Sequence, residues 1–142
     1  MNKILFGTNF LMGVVLSRFA ISKLTGWEIS VKAFIEMARP LGIDPTFFRI
    51  ATGILISAVV IGYIVTAVFS LIKNNAITRY HIPFSKWATF TNLLGLLTMI
   101  GALVAEFSLR VQPKWMLVYV ATGIVIISAT NIFILNKQIT KN

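Results

Sequence analysis

Cysteine is absent, and histidine occurs once, at His81. The first absence excludes disulfides, thiol relays, and zinc or iron–sulfur centres held by cysteines of this chain alone. The second leaves no pair of imidazoles to hold a haem. Acidic residues are almost as scarce: Glu28, Glu36, Asp44 and Glu106 are the only ones. Four scattered carboxylates do not suggest a metal cage or a paired acid–base site. The residues therefore point to no catalytic group, no metal ligands and no cofactor resident in the chain. With no acids or further histidines around it, His81 reads as a solvated loop residue.

Charge is scarce overall. Charged residues make up 12% of the 142 positions and hydrophobic ones 57%, whereas soluble domains carry about 25% charged residues. No polar tract is long enough for a second domain, so residues 1–142 read as a single membrane domain. The net charge of +9 flanks apolar stretches. That distribution suits membrane lipids with anionic headgroups and gives no sign of nucleic-acid binding.

Four apolar stretches are present. The first runs from Ile4 to about Ser22, with Arg18 inside it. Ile50–Ile72, Trp87–Ala105 and Trp115–Asn136 carry no charge and are 19 to 23 residues long. A helix needs about 20 residues to cross the hydrocarbon core. The first stretch lacks a small-x-small cleavage site, so it reads as a retained span and not a signal peptide. Trp27, Tyr80, Trp87, Trp115 and Tyr119 fall near stretch ends, as an aromatic belt requires.

Between the first two stretches, Trp27, Val31, Phe34, Ile35 and Ala38 recur at helical spacing. Glu28, Lys32 and Glu36 are four apart, with Arg39 three further on, so neighbours can pair along one face. This segment reads as an amphipathic interfacial helix ended by Pro40 and Gly42. Asp44-Pro45 reads as the N-cap and first turn of the next helix. Lys73–Lys86 reads as a basic loop, with Ser85 as the next cap. The expected fold is all-α: an integral membrane four-helix bundle with an interfacial helix between spans one and two.

Lysine and arginine divide six and six between the two sides of such a bundle, and all four acids fall on the side of the first interhelical segment. The more positive side holds both termini, which places them in the cytoplasm of a bacterial inner-membrane protein.

Asn9, Gly13, Leu16, Ala20 and Lys23 are spaced 4, 3, 4, 3 and form one stripe; Asn92, Leu96, Met99, Leu103 and Glu106 repeat that spacing. If the stripes face each other, Lys23 pairs with Glu106 near one surface. Asn9 and Asn92 then form a polar layer near the other, which Asn131 can join. The competing reading has Lys23 snorkelling to headgroups and Glu106 pairing with Arg110. Arg18 is nine residues from Asn9 and so lies half a turn away. It either snorkels or faces a second groove that takes a carboxylate, phosphate or quinone oxygen. Arg49 extends the same basic surface. Ala58, Gly62 and Thr66 form one small-residue ridge, and Gly53 and Ser57 another.

Gly13, Lys23-Leu24 with Gly26, and Phe34 followed by Pro40-Leu41-Gly42-Ile43 and Pro45 together resemble the DoxX-like family of small four-helix membrane proteins. The likeness covers the first half of the chain, to Gly62. Three departures stand out: Asn9 where the family commonly has arginine, Ala20 where it has glycine, and no glutamate between Ile50 and Ile72. The resemblance implies either a quinone-coupled oxidoreductase setting or a membrane partner of redox-protective or maturation systems. Two functions follow as expectations. One is a non-catalytic accessory subunit for a membrane or periplasmic protein partner. The other is a quinone- or lipid-binding subunit using Arg18, Lys23 and Glu106.

Overall fold

The computed structural model describes residues 2–72 and 84–140. The basic loop with Tyr80 and His81, up to residue 83, lies outside the described residues. Five helices follow one another: α1 (Asn2–Thr25), α2 (Glu28–Ala38), α3 (Pro45–Leu71), α4 (Phe84–Leu109) and α5 (Trp115–Ile139). α1, α3, α4 and α5 are each long and apolar enough to cross a membrane. Ile61, Leu97, Ile126 and Phe133 stand exposed on their outer faces. Both features support a multi-pass membrane protein.

Local chemistry sets the helix ends. α1 ends at Gly26, whose φ of +73° is open to glycine at little cost. Trp27 N–H then reaches back to the Ser22 carbonyl at 3.0 Å, the longer bond of a Schellman turn. The Lys23 carbonyl is capped from elsewhere, by Nη1 of Arg49 on α3. A Cβ at Gly26 would sit 3.3 Å from that Nη1, so the glycine also makes room for the guanidinium. Lys23-Leu24-Thr25-Gly26 is thus a helix stop with a cation on its carbonyl end. α3 starts with Asp44, whose carboxylate accepts from Phe47 N–H at 2.8 Å, and Pro45 follows in the first turn. Ser85 lies within the first turn of α4 and not ahead of it.

The long helices alternate in direction. α1 packs along α3, α4 along α5, and the pairs meet through α3 and α4. A Cβ on Gly13 would press on Ile64, and one on Gly53 on Leu24, which sets α1 and α3 antiparallel. Asn92 near the start of α4 meets Asn9 near the start of α1, and Arg110 just past the end of α4 meets α2 just past the end of α1, so α4 runs with α1 and antiparallel to α3. Of the expected small-residue ridge, Gly62 and Thr66 are buried but Ala58 is exposed. The apolar centre comprises Met12, Leu16, Ile56, Val59, Tyr63, Met99, Ala121 and Ile124.

α2 lies across the end of the bundle where α1 stops and α3 starts. It turns Ser30, Ala33, Phe34, Met37 and Ala38 inward. This face differs from the apolar stripe in the sequence, because Trp27 and Ile35 point outward. Tertiary partners set the rotation: the Ser30 and Ser22 hydroxyls bond at 2.7 Å, and Phe34 meets Phe48 edge-on at 5.0 Å.

Candidate functional site

Two polar layers cross the bundle interior. In the first, Asn131 Nδ2 donates to Asn92 Oδ1 at 3.1 Å, and Asn92 Nδ2 donates to Asn9 Oδ1 at 3.2 Å. The remaining donors are used locally: Asn92 Nδ2 also reaches the Ala88 carbonyl, and Asn9 Nδ2 the Leu5 carbonyl. Thr8 Oγ1 closes the chain by donating to Asn131 Oδ1 at 3.1 Å. All three amides are at most 1% exposed. The layer lies about 10–12 Å of helix rise from the ends of α1, α4 and α5 on its side.

The second layer is one turn further in. The Tyr63 and Ser128 hydroxyls bond at 2.8 Å, and Ser128 Oγ lies 3.5 Å from Met12 Sδ. Tyr63 reaches Ser128 by passing over Gly95 of α4. A Cβ there would fall 1.8 Å from the tyrosine oxygen.

Each layer joins three of the long helices. A buried amide left without its partner costs about 1–3 kcal/mol, while interhelical polar contacts in membranes average about 0.6 kcal/mol. The layers therefore favour one register more than they add stability. Asn92→Leu should lower stability by about 1–3 kcal/mol, because Asn9 Oδ1 and Asn131 Nδ2 both lose their partner. Replacing all three asparagines by leucine should cost less than the single change. Unfolding midpoints in mixed detergent and SDS micelles test this; a triple variant weaker than Asn92→Leu refutes it.

At the α2 end the charges assemble differently from the Lys23–Glu106 pairing expected from the stripes. Glu106 Oε1 accepts from Arg110 Nη1 at 2.7 Å and from the Lys114 backbone N–H at 2.6 Å. Among the described residues Lys23 has no ion pair within 4 Å. Its ammonium lies 5.5 Å from the Phe34 ring centre and 5.8 Å from that of Phe19. The reason is reach: Arg110, four residues beyond Glu106 and just past the end of α4, arrives before a side chain from α1 can. Glu36 of α2 joins the cluster. Its Oε1 accepts from Val111 N–H at 2.7 Å, and its Oε2 stands 3.6 Å from Arg110 Nε. On α2 the pair that forms is Glu28–Lys32 at 2.5 Å, in the open.

The structure thus brings Asn9, Asn92 and Asn131 together and gives Glu106 to Arg110. Arg49 is placed on the end of α1. Arg18 is exposed on the outward face of α1, beside Leu11, Val14 and Ile21. Sequence reasoning missed Thr8, Tyr63, Ser128 and the Glu36–Arg110 contact. A tyrosine in the middle of an uncharged span was the one available signal, since a buried phenol requires a partner. Compared with known proteins, the chain matches no family model, no curated protein and no solved structure.

Proposed function

We propose that this chain is a non-catalytic accessory subunit of the bacterial inner membrane, supporting an extracytoplasmic redox or maturation partner. In this reading the four long helices span the bilayer, both termini are cytoplasmic, and α2 rests at the outer interface. Kinship with the DoxX-like proteins belongs to the same proposal and rests on the residues quoted for it. The observation that carries the proposal is how the interior polar groups are used. Asn9, Asn92, Asn131, Tyr63, Ser128 and Glu106 bond to groups of the chain itself. They hold helices together and are not aimed at a substrate. The α2 end meanwhile presents Leu41, Ile43, Phe47 and Val111 to the outside, the last 88% exposed. Such an apolar surface suits contact with a partner.

A quinone- or lipid-binding subunit is the second reading. Its support is Lys23, a half-buried cation between two aromatic rings without an ion pair among the described residues. Gentle purification separates the two. A protein retained one to one, and lost on Val111→Glu, supports the subunit. An extracted quinone lost on Lys23→Gln supports the binder and overturns the subunit.

A further inference from the structure

A groove of about 250 Å³ opens between α2 and the start of α3, lined by Val31, Ile35, Asp44, Pro45, Thr46 and Arg49. It contains one cation and one anion that do not neutralise each other: among the described residues neither Arg49 nor Asp44 has an ion pair within 4 Å. Each is only partly engaged. Arg49 donates through Nη1 to the Lys23 carbonyl, and Asp44 accepts from Phe47 N–H through Oδ2. That bond takes the Phe47 N–H, and the Asp44 carbonyl takes the Phe48 N–H, so the full positive charge an incoming anion meets is the Arg49 guanidinium. The remaining Asp44 oxygen offers a seat to a cation. The walls, Val31, Ile35 and Pro45, are apolar. Exposed Ile50 follows Arg49 along α3.

We propose that this groove seats the headgroup of a zwitterionic aminophospholipid of the phosphatidylethanolamine type. The phosphate sits on Arg49 and the primary ammonium on Asp44. The inference rests on the reading that the four long helices cross a bilayer, because only then does the first turn of α3 lie at headgroup depth. Three physical points select this ligand. A guanidinium and a carboxylate held apart complement a molecule with separated charges of both signs. The volume lies below the roughly 300–1,000 Å³ of pockets for whole drug-sized molecules, and so suits a headgroup whose chains run outside the groove. The carboxylate discriminates as well. A trimethylated ammonium cannot donate a hydrogen bond to it, and an anionic headgroup meets it as a like charge.

The test uses the full chain purified in detergent and titrated separately with phosphatidylethanolamine, phosphatidylcholine and phosphatidylglycerol. Retained lipid is counted by native mass spectrometry. One phosphatidylethanolamine per chain is expected, preferred at least about tenfold over the other two. Asp44→Asn keeps an N-cap acceptor and removes the charge. It should erase the preference over phosphatidylcholine without moving the unfolding midpoint. Lys137→Gln, which removes an exposed cation at the opposite end of the bundle, should leave the preference intact. Equal retention of the three lipids overturns the proposal, as does a preference that survives Asp44→Asn or disappears with Lys137→Gln. Displacement by millimolar glycine would assign the groove to a free amino acid instead. The membrane reading fails separately, if the chain is recovered in the soluble fraction without detergent.

Discussion

Arg110→Ala should lower stability by about 3–5 kcal/mol, the range for removing one partner of a buried ion pair. The Glu106 side chain is 7% exposed and that of Arg110 14%. Without the guanidinium, the Glu106 carboxylate keeps only the Lys114 N–H in a poorly hydrated place. Glu36 loses its cation at the same time, which loosens the link between α2 and the segment joining α4 to α5. The penalty belongs mostly to the stranded charge and not to the lost attraction. Arg110→Met combined with Glu106→Leu should therefore recover most of the loss. The measurement is the SDS midpoint of unfolding for the single and double variants. A single variant within about 1 kcal/mol of the parent would mean that water reaches Glu106, as at an exposed ion pair.

Gly95→Ala should be nearly as damaging, at about 3 kcal/mol, the upper end of the usual range for overpacking. The new methyl would lie 1.8 Å from the Tyr63 oxygen and 2.5 Å from Cζ, distances no small adjustment absorbs. Either α4 moves off α3, or the ring swings out and leaves the Ser128 hydroxyl without its 2.8 Å partner. A helix glycine exchanged for alanine normally gains about 1 kcal/mol in propensity, so a loss would isolate the steric term. Tyr63→Leu in the same chain should restore part of the loss by removing the atoms in collision. If Gly95→Ala is neutral with Tyr63 present, the ring does not cross α4 as described.

Much of the fold was legible in the sequence. Each long helix could be recognised from its own residues, because hydropathy over about 20 positions is a local property. So was the start of α3, since Asp44 bonds to an N–H three residues away. The candidate sites were harder to read. The Asn9 and Asn92 stripes share a spacing, and the two amides meet across a separation of 83 residues. The same spacing also suggested Lys23 with Glu106, where a nearer arginine intervenes. Equal periodicity marks residues that can share a face; it does not say which competitor reaches the partner first. Tyr63 shows a second kind of limit. Its bond to Ser128 depends on a glycine in a third helix, 32 positions away in sequence.

By itself, the sequence determined the all-helical class, the four long apolar helices, the capped start of α3 and the poverty of catalytic side chains. These follow from composition, hydropathy and hydrogen bonds spanning a few residues. The tertiary structure alone decided the face α2 turns inward, the choice of Arg110 over Lys23 for Glu106, the Arg49 cap on α1, and the passage of Tyr63 over Gly95. The physical reason lies in the helices themselves. A helix apolar on all sides carries little information about which side faces its neighbours. Rotation and register then rest on close packing and a few hydrogen bonds between distant residues.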